Sequence, residues 1–303
     1  MFNLKIGATA AYTYAFRGTA MDLNDYLVSI KTLPELGIYN FDLEILQPQH
    51  VAIYETKDNI KRLKETLAKN KVKVVGFTAW ACVELIHSIK EEDHQRGYQL
   101  FAKIAEIAQD FNAEYIHLGS DMISEYIIER DSTYVAAPVT KIAIPENVSY
   151  QNILDDYARR LAKLAQIAQD NGLKFSIEPR ANSLICGADS FMDIYQRAHH
   201  SNLYCCLDVV HCAFHREDLP IAIEKVSQRL LVFQLCNAIP GQMIHYPLAE
   251  GSIKIKPILK TLRKINFQGY LMLEIYHSGK DNKDIVDSWY KEGMAMIKKE
   301  ELR

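Results

Sequence analysis

Eight short runs of β-branched and aromatic residues alternate with eight longer helical patterns from one end of the 303-residue chain to the other. The runs lie at 4–9, 38–46, 72–79, 113–119, 173–178, 203–209, 230–236 and 270–276, and the helical patterns at 22–36, 57–70, 91–111, 150–171, 188–200, 218–228, 252–266 and 283–299. The clearest helix is ILDDYARRLAKLAQIAQDNG, where Ala and Leu recur at spacings of three and four and Asn171-Gly172 supplies the stop. Strict alternation requires a parallel sheet, because each helix is the crossover that returns the chain to the same edge. Eight units in this length predict an α/β fold of the closed (β/α)8 barrel type, occupying 1–303 as one domain. An open doubly wound sheet is the alternative. It calls for a Gly-rich phosphate turn after the first strand, and GATAAYTYAFRG is a poor one.

Charge and cysteine content narrow the partners. A formal net charge of -3 argues against a nucleic-acid binder, which needs a clustered basic surface. No segment approaches the apolar run of about 18 residues that spans a bilayer. The first twenty residues lack the unbroken apolar stretch of a secretory leader. Cys82, Cys186, Cys205, Cys206, Cys212 and Cys236 contain no CxxC pair, and four sit in apolar runs; this favours a reducing, cytoplasmic setting without disulfides. The longest irregular stretch, 120–149, follows the fourth strand and would sit on the C-terminal face, as a lid or as a surface insertion.

Strands five to eight share an unusual feature. Each is apolar except for one acceptor-bearing side chain near its C-terminal end: Glu178 in KFSIEPR, Asp208 in CCLDVVH, Gln234 in VFQLCNA and Glu274 in LMLEIYH. Alternation puts Ser176, Cys206, Val232 and Met272 on the same faces, as barrel filling. Three carboxylates and one amide therefore converge at the mouth. Unpaired, they would repel and raise one another's pKa values. A divalent cation resolves the conflict, and an all-oxygen donor set favours Mn²⁺ or Mg²⁺ over Zn²⁺. Separate local pairing of each residue with a Lys or Arg is the competing account.

The stretches IEPRANSLICGADSF, LDVVHCAF, VFQLCNA and HYPLAEGSIKIKPILKTLRKINFQGYLMLEIY resemble the xylose isomerase-like TIM-barrel superfamily of sugar-phosphate isomerases and epimerases. That group includes ketose 3-epimerases, inosose-processing enzymes, 3-dehydroshikimate dehydratases and endonuclease IV. The resemblance implies that Glu178, Asp208 and Glu274 are metal ligands, with Gln234 where His is common. It also implies that Glu178 and Glu274 act as base and conjugate acid. Gln is found at that place in some members, dehydratases among them. Asn237 replaces a common Asp, and Ala249-Glu250-Gly251 replaces Gly-Glu-Gly.

His211, three residues after Asp208, is placed to orient a substrate hydroxyl or relay a proton; a helix-start histidine without chemistry is the alternative. Arg180, two beyond Glu178, can hold a substrate oxygen or phosphate, or pair with Glu178 or Asp208. His245 in GQMIHYPLAEG, His117 in the fourth strand and Glu44 in the second are further candidates for substrate contact. Trp80 and Tyr14 can form an apolar wall, and ordinary packing accounts for these five equally well. His199-His200 suits a helix C-terminus and is read as structural.

Taken together, the residues point to a metal-dependent isomerase or epimerase of a small sugar, sugar phosphate or polyol, acting through an enediolate; a homo-oligomer is compatible with this. A 3-dehydroshikimate dehydratase-type lyase on the same site is the runner-up, and a non-catalytic binding barrel is a third reading. Endonuclease IV-like chemistry is disfavoured by the acidic balance.

Overall fold

In a computed structural model of the protein, residues 4–130 and 139–301 are described. Eight parallel strands close into a barrel: β1 (Lys5–Ala8), β2 (Asn40–Glu44), β3 (Lys73–Thr78), β4 (Tyr115–Gly119), β5 (Lys174–Glu178), β6 (Leu203–Asp208), β7 (Leu230–Leu235) and β8 (Tyr270–Leu273). Each strand pairs with its sequence neighbours, and β1 closes on β8 through Lys5↔Tyr270 to Ala8↔Leu273. The outer helices are α1 (Leu23–Thr32), α2 (Lys57–Asn70), α3 (Glu91–Asp110), α4 (Tyr150–Asp170), α5 (Ala188–Ala198), α6 (Leu219–Lys225), α7 (Ile255–Lys264) and α8 (Lys283–Glu301). No helix among the described residues is long and apolar enough to cross a membrane.

The helices form where the apolar spacing predicts. In α4, Ile153, Leu154, Tyr157, Leu161, Leu164, Ala165 and Ala168 are buried, one stripe at three- and four-residue intervals. Burying each large apolar side chain contributes about 1.5–3 kcal/mol. The stop is local: Leu173 N–H donates to Ala168 O, with Gly172 at φ +71°. Asp22 caps α1 through the N–H groups of Asn24 and Asp25, and Thr56 caps α2.

Two apolar layers result. Phe41, Phe77, Phe175 and Phe233 pack outward under the helices. Val75, Tyr115, Cys206, Val232, Tyr270 and Met272 form a separate inner cluster. Gly76 makes room for the Tyr115 ring, with which any Cβ there would collide.

Two differences from the sequence reading stand out. The 120–149 stretch is not wholly irregular, since Ile127–Arg130 pairs antiparallel with Val139–Ile142. The part of the lid expectation that falls on 131–138 lies outside the described residues. Short helices at Ala11–Arg17, Val83–Ile86 and Val209–Phe214 occupy βα loops that the sequence leaves unassigned. All six cysteines are free.

Candidate active site

The C-terminal ends of β5 to β8 carry the four acceptor residues in the expected order. Glu178 and Asp208 end β5 and β6, Gln234 is the penultimate residue of β7, and Glu274 lies one residue past β8. Asp208 faces Gln234 in register, and Gln234 faces Met272. Glu274 N–H donates to Leu235 O, so its backbone extends the β7–β8 ladder.

Glu178 is held by two imidazoles. His211 Nε2 is 3.2 Å from Oε1, and His117 Nε2 is 3.4 Å from Oε2. Ala181 N–H donates to His211 Nδ1 at 3.3 Å, so His211 Nε2 carries hydrogen and donates to the carboxylate. His117 Nδ1 lies 3.1 Å from the Ser176 hydroxyl, which can donate or accept, and its Nε2 faces the acceptor-only carboxylate. Burial alone would raise the Glu178 pKa, but the hydrogen bonds and charges of His117 and His211 hold it well below the usual range.

Asp208 is placed differently. Its Oδ1 accepts from the Val210 and His211 N–H groups, capping the Val209–Phe214 helix, while Oδ2 lies 3.2 Å from His245 Nε2. His211 therefore sits inside a short helix just beyond β6. His245 stacks on Tyr276, with ring centroids 4.4 Å apart. Gln234 Oε1 accepts from Cys206 Sγ at 3.2 Å. Glu274 is the uncompensated member. Its Oε2 is buried without a hydrogen-bond partner, and burial, followed by the charges of Asp208, Glu178, Glu44 and Asp42, pushes its pKa well above the ordinary value.

A cavity of about 150 Å³ opens at this end of the barrel, with Glu44, Trp80, His117, Arg180, Gln234 and Glu274 on its wall. Tyr14, Thr9, Thr78 and Tyr276 complete much of the lining. Arg180 does not pair with Glu178 or Asp208. Its guanidinium lies 4.6 Å from the Trp80 ring and donates to Ser120 O at 3.4 Å, while its buried Nε has no partner. Gly119 permits this stack, because a Cβ there would collide with the Trp80 ring and lie 3.0 Å from Arg180 Cδ.

Several site residues escaped the sequence reading. Asp42 lies two before Glu44 on β2 and accepts from Tyr115 Oη at 3.0 Å and Thr78 Oγ1 at 3.4 Å. The alternation of NFDLEIL was the signal that could have found it. Burial pushes Asp42 up to about 7, against His117, Tyr115 and Thr78; burial, then Asp42 and Glu178, push Glu44 up to about 8. Cys236 and Tyr276 were also missed. Among the described residues, Asp208, Cys236 and His245 are a trio whose donor atoms all lie within 4.8 Å of one another.

Of the three carboxylates expected as ligands, Asp208 is the one that belongs to a group of three donor-bearing residues at ligand spacing among the described residues, and the donor chemistry there fits a divalent cation. Carboxyl groups are concentrated at this end of the barrel, and one buried oxygen of Glu274 has no partner.

Known proteins share this architecture. The 3-keto-D-glucoside 4-epimerase of E. coli in its apo form superposes with a TM-score of 0.74 at 15% identity, covering 98% of this chain and 100% of that one. D-psicose 3-epimerase from Clostridium cellulolyticum H10, solved with D-tagatose, gives 0.72 at 14% identity over 97% and 98%. The IolI protein with a bound zinc atom gives 0.70 at 13% over 97% and 98%. At these identities the likeness is one of fold. No curated protein matches the chain in sequence. The family model described as the xylose isomerase-like TIM barrel matches residues 30–300, nearly the whole barrel with its helices, and the chain belongs to that family.

Proposed function

We propose that the chain is a divalent-metal-dependent isomerase or epimerase of a small sugar or polyol, working as one catalytic domain. The observation that carries this reading is the row of Glu178, Asp208, Gln234 and Glu274 on four successive strands, beside a cavity of monosaccharide scale. Family membership and the sugar epimerases of like fold support it.

Glu178, Asp208, Gln234 and Glu274 would hold the ion. When bound, it would polarise the substrate carbonyl and stabilise negative charge on the neighbouring oxygens. The chain's own groups do the rest. Glu178 and Glu274 share the work of base and conjugate acid, taking a proton from the carbon beside the carbonyl and returning it to the other face or the adjacent carbon. His211 and His117 keep the Glu178 carboxylate aligned. Trp80, Tyr14 and Tyr276 offer apolar surface to a sugar face, and Glu44 and Arg180 offer polar contacts to its hydroxyls.

Proton NMR in D₂O with Mn²⁺ and a panel of free ketoses and aldoses tests the reading. The expected result is loss of the C–H signal beside the carbonyl of at least one sugar, with appearance of its epimer or isomer. Absence of exchange across the panel with Mn²⁺, Mg²⁺, Co²⁺ and Zn²⁺ would overturn it. Gln234 supports one second reading, dehydration of 3-dehydroshikimate, which a rise in protocatechuate absorbance would reveal.

A further inference from the structure

The four expected ligands supply only oxygen, yet the Asp208 side of the mouth is built from other elements as well. Cys236 follows β7 directly, two residues beyond Gln234, and is fully buried there. His245 comes from the loop after β7. It is anchored by backbone pairing of Tyr276 N–H to His245 O and by its stack on Tyr276. These two bring sulfur and nitrogen to Asp208, with all three donor atoms within 4.8 Å of one another.

We propose that Asp208, Cys236 and His245 form a mixed oxygen, sulfur and nitrogen donor set for a thiophilic divalent cation of the zinc class. All three side chains are buried, at 1%, 0% and 2% exposure, so water does not compete for the donors. The imidazole faces Asp208 through Nε2, the nitrogen that would ligate with the ring hydrogen moved to Nδ1, where no other partner stands. A carboxylate, a thiol and an imidazole nitrogen gathered this closely in a buried place are a donor set that a cation would join.

Geometry and softness both favour this class of ion. A tetrahedral zinc ion with bonds of about 2.0–2.3 Å holds its donors about 3.3–3.8 Å apart. Contraction from within 4.8 Å is of side-chain rotamer scale. Thiolate and imidazole together select zinc-like ions over Mg²⁺ and Mn²⁺. As the metal–sulfur bond forms, the thiol proton leaves to solvent, so binding releases a proton. Three protein donors leave the fourth tetrahedral position open for a further ligand. The consequence is a corrected expectation of metal identity, from the hard ions that an all-oxygen set would choose to a borderline-soft one.

This inference shares Asp208 with the metal-dependent reading and rests on it to that extent. The test is spectroscopic. Chelator-treated protein is titrated with Co²⁺, and the near-ultraviolet thiolate-to-cobalt charge-transfer band is followed. The wild type should show the band. Cys236→Ser should abolish it, and Cys82→Ala, at a buried thiol elsewhere, should retain it. X-ray absorption of the zinc-loaded wild type gives a check that depends on no variant, with a sulfur scatterer expected at about 2.3 Å. A bound ion with only oxygen and nitrogen neighbours, or a band unchanged in Cys236→Ser, overturns the mixed donor set and leaves the isomerase reading standing. Failure to bind any divalent ion overturns both.

Discussion

Gln234 sets a neutral amide between Asp208 of β6 and Met272 of β8, with its oxygen taking the Cys206 thiol hydrogen. If that oxygen also serves a cation, Gln234→Leu keeps the packing volume and removes the acceptor. The expected result is at least a tenfold weaker metal affinity, about 1.4 kcal/mol, by calorimetric titration with Mn²⁺ or Zn²⁺. Loss of melting temperature with unchanged affinity would make the amide structural. A second residue-scale prediction concerns the cavity wall. Gly119→Ala forces a Cβ into the Trp80 ring and against Arg180, breaking their stack. We expect KM to rise about 3–30-fold, equivalent to about 0.7–2 kcal/mol, while kcat and metal affinity hold. The strand-end residues were legible because an isolated acceptor in an apolar run stands out against its neighbours. Asp42 and Cys236 were not, the first because Glu44 drew attention on the same strand, the second because a thiol in an apolar run reads as core.

Among the elements, the long helices and the strands were readable because each repeats its period over enough residues to be seen. The helices Val83–Ile86 and Val209–Phe214 span four and six residues, about one turn or slightly more, and leave no periodic trace. Yet one of these short elements organises the mouth. His87, at the end of Val83–Ile86, joins three parts of the chain: its Nδ1 bonds Val83 O, while its Nε2 accepts Asp121 N–H and meets Tyr157 Oη of α4. Its O also receives Ser124 N–H, so the root of the 120–149 stretch hangs on this residue. Burial lowers the His87 pKa from 6.5 to about 4. Between those values the unfolded chain binds a proton that the folded chain refuses. The contribution is therefore complete above about pH 6.5 and is lost as pH falls toward 4, by about 2 kcal/mol at pH 5. Urea unfolding of wild type and His87→Asn should show a stability gap that narrows from pH 7 to pH 5. A constant gap would mean that the imidazole is not held neutral.

At the scale of the whole molecule, the barrel gathers carboxylates from β2, β5, β6 and β8 into one buried mouth, and their compensation is unequal. Glu178 is matched by two imidazole donors, Asp208 by a helix cap and His245, and Glu274 by nothing on its outer oxygen. Without metal, the fold therefore carries a repulsion that a bound cation relieves, and binding should appear as global stability. At a free metal concentration of one hundred times Kd the gain is about 2.7 kcal/mol. For a chain of this length that corresponds to about 4 °C in Tm. The charge-neutral variants should then divide in a way that simple structural damage would not produce. Chelated Glu274→Gln should match or exceed chelated wild type, since it removes a buried carboxyl whose charged form burial and its acidic neighbours disfavour. Chelated Glu178→Gln should fall below it, because His117 and His211 lose the carboxylate they both hold. Both variants, and Asp208→Asn with them, should lose most of the metal-induced rise. Scanning calorimetry of the four proteins with and without chelator checks each sign. A chelated Glu274→Gln that melts well below wild type, or variants that keep the full metal-induced rise, would show that the carboxylates are balanced within the fold and that no cation is needed to hold them.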